Sequence, residues 1–281
     1  MFRIARQAKE SRNPDLWVGM RAAYVPGLTG YTGAKLPDLA PGGQGQATMT
    51  NMDPYTDWGA DATGPYIDLD GTNDYLDIPN PGRTALMIVP ISILARVNLR
   101  TAQVSRQFLC NAASPVTGGF GFGIDDSTNN KIKWSTITTG GTITTLISNT
   151  ALTSNTWATV GVSYYPTAGA EANKKVYING VLDNTQNTTN LLGQTYTMPN
   201  ASIGRYPGGG SQFLNGFWSH IIVWNRILTT DEWLRLAIDA SAPWRPRHVR
   251  PQAYEQPQID LIAKRRRRKG DQTEPVPWWT W

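Results

Sequence analysis

From Tyr66 onward the chain alternates. In YIDLDG, Tyr66, Asp68 and Asp70 fall on one side of an extended backbone and Ile67 and Leu69 on the other, the period of two expected of a strand with one buried face. YLDI resumes the pattern after a turn at GTND. MIVPISILARVNL, residues 87–99, is almost wholly apolar, rich in Val and Ile and interrupted by Pro90. It predicts a strand in the middle of a sandwich, with the proline near its entry. SRQFLCN, GFGFGI, KIKWSTI, GTITTLIS, TWATVGVSYY, KKVYI, ASIGR and GFWSHIIVWNRIL follow at regular spacing. Asn179-Gly180, between KKVYI and VLD, marks a tight hairpin, because a type I′ turn needs positive φ at both central residues. Residues 13–66 are turn-rich and offer only short strands at AAYVPG and QATMT. One helix is expected, in LTTDEWLRLAIDA. There Thr229 caps the first turn, Glu232 reaches back, and Trp233, Leu236 and Ala237 share one face. That apolar stripe is expected to pack on an edge of the sheets. More than eight short strands between turn signals predict an all-β sandwich or barrel.

Composition supports this reading. The 27 glycines and 19 prolines supply turns, and 40% apolar residues suffice for a core. No run approaches the roughly 20 apolar residues that cross a bilayer, so no membrane insertion is expected. MFRIARQAKESRNPD lacks the apolar stretch of a secretory signal, so synthesis in a cytoplasm is expected. Cys110, the single cysteine, lies in an apolar run and reads as a small buried hydrophobe.

Charge divides the chain into three parts. Residues 1–12 carry four basic residues and one acidic residue. Residues 244–281 carry nine basic and four acidic residues, which leaves residues 13–243 at about −3 of the total of +5. The expected organisation is a basic N-terminal arm over 1–19, a sandwich over 20–243, and an extended Pro/Arg-rich C-terminal arm over 244–281 that ends in a tryptophan cluster. An acidic body is not the surface of a nucleic-acid-binding fold. Lys264–Lys269 would be a solvated charge run in an isolated domain. However, Trp278, Trp279 and Trp281 form an apolar cluster that something must cover. The expectation is an assembly contact in which the tryptophans fill a pocket on a neighbouring protein while Arg265, Arg266, Arg267 and Arg268 meet its carboxylates. Contact with packaged nucleic acid is the alternative for the arginines.

Three stretches resemble the laminin-G-like, or concanavalin A-like, superfamily. They are LPDLAPGGQGQATMTNMDPYTDW running into YIDLDGTNDYLDIP, TWATVGVSYY with KKVYINGVLDNT, and ASIGRYPGGGSQFLNGFWSHIIVWNRILTTDEWLRLA. Together they cover roughly residues 20–240. The resemblance implies a two-sheet concanavalin A-like β-sandwich with one short C-terminal helix. The APWRPR ending and basic arm resemble laminin-G-like proteins of tailed phages. That implies a virion structural component, such as a capsid decoration, fibre or tail-associated protein, held in a large assembly by its arm to other virion proteins. Its sandwich would project outward and aid adsorption to host surface glycans. The alternative is a stand-alone carbohydrate-binding or adhesion module. Function does not follow from the fold alone.

Catalysis is not expected. The β-glucanases of this superfamily alternate Glu, Asp and Glu on one strand face. None of Glu10, Glu171, Glu232, Glu255 and Glu274 sits in such a strand. Asp68 and Asp70 share a face but read as solvated. His220 and His248 lack a metal or nucleophile spacing. The resemblance implies a possible calcium ion with Asp38 as the loop ligand, although APGGQGQ lacks the side-chain amides that would help hold it. No other cofactor is expected. Tyr31, Trp58 and Tyr206 are the glycan-stacking candidates, with Tyr55 and Trp134 also considered, while Trp157, Trp218 and Trp224 read as core.

Overall fold

The computed structural model describes residues 11–29, 33–43, 45–80, 86, 89–111, 118–138, 141–165, 173–188, 200–207 and 212–245. Among them are sixteen strands: β1 (Met20–Tyr24), β2 (Lys35–Leu36), β3 (Ala47–Thr50), β4 (Trp58–Asp61), β5 (Gly64–Asp70), β6 (Tyr75–Pro79), β7 (Ile91–Leu99), β8 (Arg106–Cys110), β9 (Gly119–Ile124), β10 (Lys131–Ile137), β11 (Ile143–Ala151), β12 (Trp157–Tyr164), β13 (Lys174–Ile178), β14 (Val181–Gln186), β15 (Asn200–Ile203) and β16 (Asn215–Trp224). They form two antiparallel sheets. The first runs β14-β13-β12-β7-β16-β5-β4, with β1 also paired to β16, and the second runs β11-β10-β9-β8-β15-β6-β3-β2. The all-β sandwich is as expected. Strands β2 and β4, short and beside Asp- and Gly-rich turns, carried no readable alternation.

Alternating residues of each strand meet between the sheets. Ile67, Val97, Val160 and Trp218 of the first sheet join Phe108, Phe120, Phe122 and Trp134 of the second in one buried cluster. Aromatic edges interlock there, with Phe108 on Phe122 at 5.3 Å and Phe120 on Trp134 at 5.5 Å between ring centroids. Asn179 and Gly180 turn at φ of 49° and 81°, as the hairpin requires.

The outward face of the first sheet is divided. Its register sets Leu94 opposite Ile222 and Ile222 opposite Ala23, an apolar row that needs a cover. Helix α1 (Thr230–Ile238) supplies it, with the Thr229/Glu232 capping box in place. The helix does not sit on an edge, as its stripe suggested, but on this face. Trp233 stacks on Tyr177 at 4.7 Å and presses on β12 where Gly161 leaves room; a Cβ there would stand 2.3 Å from the indole ring. Residues 11–19, grouped above with a basic arm, complete the cover. Leu16 and Trp17 are buried with Trp224 and Trp233. The Trp17 indole N–H donates to the Pro243 carbonyl at 2.5 Å, and the Trp224 indole N–H donates to the Leu16 carbonyl at 2.8 Å.

Side chains also tie the sheets along one side. The wholly buried Lys174 of β13 donates from Nζ to the Thr144 carbonyl of β11 at 2.7 Å and to its hydroxyl at 3.0 Å. The Asn184 amide of β14 donates to the Ile147 carbonyl at 2.7 Å. Burial pushes the Lys174 ammonium down to about 7.

Two outcomes follow. Gly161→Ala forces Trp233 off its seat and lowers stability by roughly 1–3 kcal/mol in urea unfolding, whereas alanine at the exposed Gly42, which meets nothing within 4 Å, disturbs no packing and costs only the strain of its positive φ. For Lys174, the unfolded chain holds the proton up to its ordinary value of 10.5 while the folded chain releases it near 7. Between those values the unfolded state binds more protons, so stability rises with pH. Denaturation midpoints measured from pH 7 to 10 therefore climb in the native sequence relative to Lys174→Met; parallel profiles would contradict the burial argument.

Candidate functional site

The second sheet presents an outward row with little side chain in it. In β9, Phe120, Phe122 and Ile124 turn inward, so Gly119, Gly121 and Gly123 face out. Register places Gly121 between Ser135 of β10 and Cys110 of β8. A hollow of about 120 Å³ opens above it, lined by Gln107, Cys110, Gly121, Lys133, Ser135, Ile137, Ile143, Tyr206 and Gln212. Gly121 is what leaves the hollow open, because a Cβ there would come within 3.3 Å of Gln107 Oε1. Tyr206, from the loop after β15, packs on Cys110 and Ile137.

The polar groups around the hollow are fixed by one another. The Gln107 amide donates from Nε2 to Gln212 Oε1 at 3.1 Å, and Gln212 takes a left-handed backbone with φ of 69°. Gln107 Oε1 is buried and has no hydrogen-bond partner among the described residues. An orphan acceptor of this kind is stabilised by any donor that reaches it. The Ser135 and Thr145 hydroxyls pair at 3.0 Å, and Lys133 pairs with Asp126. Beside the hollow, the Arg205 guanidinium lies 3.5 Å over the Tyr75 ring and pairs with Asp77 at 3.4 Å.

The half of the first sheet's outward face that α1 leaves uncovered is aromatic and charged. Trp157 of β12, Asn98 of β7, Phe217 of β16 and Asp68 of β5 form one row. Tyr66 lies 4.6 Å from Phe217 and 6.0 Å from Trp157. Trp157 is therefore not core, as the sequence suggested. It is half-exposed, and its indole donates to Asp61 at 2.6 Å. Asp68 is not free in solvent either, since Arg100 pairs with it. Asp70 accepts backbone N–H groups of Thr72 and Asn73 at 2.7 and 3.2 Å and so builds the turn. Burial first, then the charges of Asp70, Asp57 and Asp68, push the Asp74 carboxyl up to about 6. Glu232 is held by Arg226 and by its helix cap. His220 is buried between the hydroxyls of Ser219 and Ser241, each at 2.9 Å.

The remaining expected site residues fall as follows. Tyr206 lines the hollow on the second sheet. Trp58 packs against the main core because its register opposite the inward Ile67 turns it in, so it is no loop-tip platform. Trp134 is wholly buried and Tyr55 fully outward. Asp38 accepts the backbone N–H groups of Ala23 at 2.8 Å and Ala40 at 3.0 Å, stapling β1 to the following turn. No group of three or more His, Cys, Asp or Glu suited to a metal exists among the described residues. Tyr31, Arg265, Arg266, Arg267, Arg268, Trp278, Trp279 and Trp281 lie outside the described residues. Gln107, Gln212 and Ser135 were missed. The alternating glycines of GFGFGI, which leave one strand face bare, were the available signal.

A family model described as the concanavalin A-like lectin/glucanases superfamily matches residues 70–232, more than half of the 281-residue chain. No curated protein matches the sequence. Among solved structures, domain 4 of AbnA, a GH43 extracellular arabinanase from Geobacillus stearothermophilus solved in complex with arabinotriose, is 15% identical with a TM-score of 0.58, covering 78% of this chain and 98% of that one. The receptor binding domain of botulinum neurotoxin type G is 14% identical with a TM-score of 0.54, covering 78% of this chain and 51% of that one. The binding domain of botulinum neurotoxin serotype D is 11% identical with a TM-score of 0.54, again covering 78% and 51%. The chain thus spans about half of the neurotoxin domains, and identities this low speak for the fold alone. With the family model, the sheet order and the two-sheet core in agreement, the chain belongs to the concanavalin A-like lectin/glucanase superfamily.

Proposed function

We propose that this protein is a non-catalytic module that binds surface glycans, and that it serves as a structural component of a tailed-phage virion held by its C-terminal arm. The observation that carries the binding reading is the hollow over Gly121. It combines an aromatic wall at Tyr206 with the polar side chains of Gln107, Ser135 and Gln212, the pairing of apolar face and polar anchors that a sugar ring meets. Support also comes from relatives in fold, one of them solved with arabinotriose and others being receptor-binding domains.

The absence of catalysis is part of the proposal. It is supported by the engagement of the alternating carboxylates, Asp68 with Arg100 and Asp70 with its own turn, which leaves neither as the second carboxyl that glycoside cleavage needs. The virion setting is supported by sequence alone, through Lys264–Lys269 and the terminal tryptophans.

A glycan array probed with the full chain tests the binding reading. The expected result is retention of a defined glycan, with roughly tenfold or greater loss on Tyr206→Ala and unchanged circular dichroism. Retention of the same glycan by Tyr206→Ala with undiminished signal would overturn the assignment of the hollow. Deleting residues 264–281 tests the setting: particles are expected to lose the protein, and undiminished occupancy on purified particles would end the docking idea.

A further inference from the structure

The uncovered half of the first sheet holds a second cavity, remote in kind from the apolar hollow of the other sheet. Its volume is about 340 Å³, and Thr63, Arg96, His220, Asp239, Ser241 and Arg245 supply its polar lining. Register explains the assembly. Thr159, Arg96 and His220 occupy one outward row across β12, β7 and β16, one step beyond the row that α1 covers, and the chain leaving α1 closes the far wall with Asp239 and Ser241.

Arg96 is the group in this cavity that structure alone does not account for. Its guanidinium is half-buried, yet none of the ion pairs among the described residues includes it. Its side-chain hydrogen bond is a long one, 3.4 Å to the Thr159 hydroxyl. The neighbouring carboxylates are already engaged. Asp239 pairs with Arg245 at 2.7 Å, and Asp61 accepts from Thr63 and Trp157. His220 adds no charge, because burial first and the Arg96 cation second push its imidazole down to about 3. The lining itself therefore presents two guanidiniums against one carboxylate, with the charge of Asp61 acting on Arg96 from beside it. A partly desolvated cation whose neighbouring carboxylates are engaged elsewhere is stabilised by an anion brought to it.

The flank is aromatic. Trp157 lies under Arg96, with 5.4 Å from the guanidinium carbon to the ring centroid, and continues to Tyr66 and Phe217. A planar guanidinium beside an indole suits a ligand with a carboxylate at one end and a flat C–H face at the other.

We propose that this cavity binds an acidic saccharide, with the sugar carboxylate on Arg96, hydroxyls toward Thr63, Ser241 and Asp239, and the ring edge against Trp157. It is a second site, independent of the Tyr206 hollow.

The test is a nuclear magnetic resonance titration of the full chain with digalacturonic acid, its methyl ester, and acetate as a bare anion. The expected result is binding of the acid at least about tenfold tighter than the ester, with movement of the Trp157 indole N–H signal. Arg96→Gln, checked for an unchanged melting profile, is expected to abolish that preference, and Arg96→Lys to restore part of it. Tyr206→Ala is expected to leave it intact, which separates this site from the hollow on the other sheet. Equal affinity for acid and ester, no binding of the acid, or an unmoved Trp157 signal would overturn the proposal whatever the variants do. So would acetate matching the disaccharide, which reduces the site to a simple anion contact.

Discussion

The packing of Trp233 against a glycine in β12 is the constraint from which the rest of the first sheet's surface follows. An antiparallel sheet in a sandwich can leave its outer face to solvent, but here the outward residues Leu94, Ile222 and Trp224 are apolar and must be covered. Helix α1 can lie close only because position 161 has no side chain. Once it does, the chain before β1 and the chain after α1 are drawn in to finish the cover, joined by Trp17, Trp224 and Pro243. The cover stops one row short of Arg96 and His220. That limit creates both the polar cavity and the aromatic strip beside it.

The second sheet solves its outer face in the opposite way. It is left bare where β9 carries glycine at every outward position, so the floor drops and the side chains of Tyr206 and Gln212 stand at its margin. Gln212 takes a left-handed backbone there, unusual for a residue with a side chain. The two faces thus differ in chemistry for reasons that lie in single positions, Gly161 on one and Gly121 on the other.

Much of this was legible in the sequence. Alternation located most strands, Asn179-Gly180 its hairpin, and Thr229 with Glu232 the helix start, because each is local chemistry. What could not be read was which face an element covers. The stripe of Trp233 and Leu236 is the same whether the helix packs on an edge or a face; the answer lay in Gly161, some seventy residues away. Trp157 read as core and Trp58 as a stacking candidate. Register, a non-local property, reversed both. Asp68 read as solvated because its partner Arg100 lies just past the end of β7, some thirty residues along the chain. The hollow was invisible for a related reason, since Gln107, Gly121, Ser135 and Gln212 converge from four separate segments.

The proposed recognition of a sugar by the second sheet's outer face, without cleavage, is tested most directly by a single titration of isotopically labelled full-length protein with an oligosaccharide retained on the glycan array, following protein and sugar signals together over a day. The expectation is that amide signals of Gly121, Gly123, Ser135 and Gln212 move saturably while the sugar spectrum stays intact. Movement confined to other surfaces, or appearance of new reducing-end signals, would contradict it.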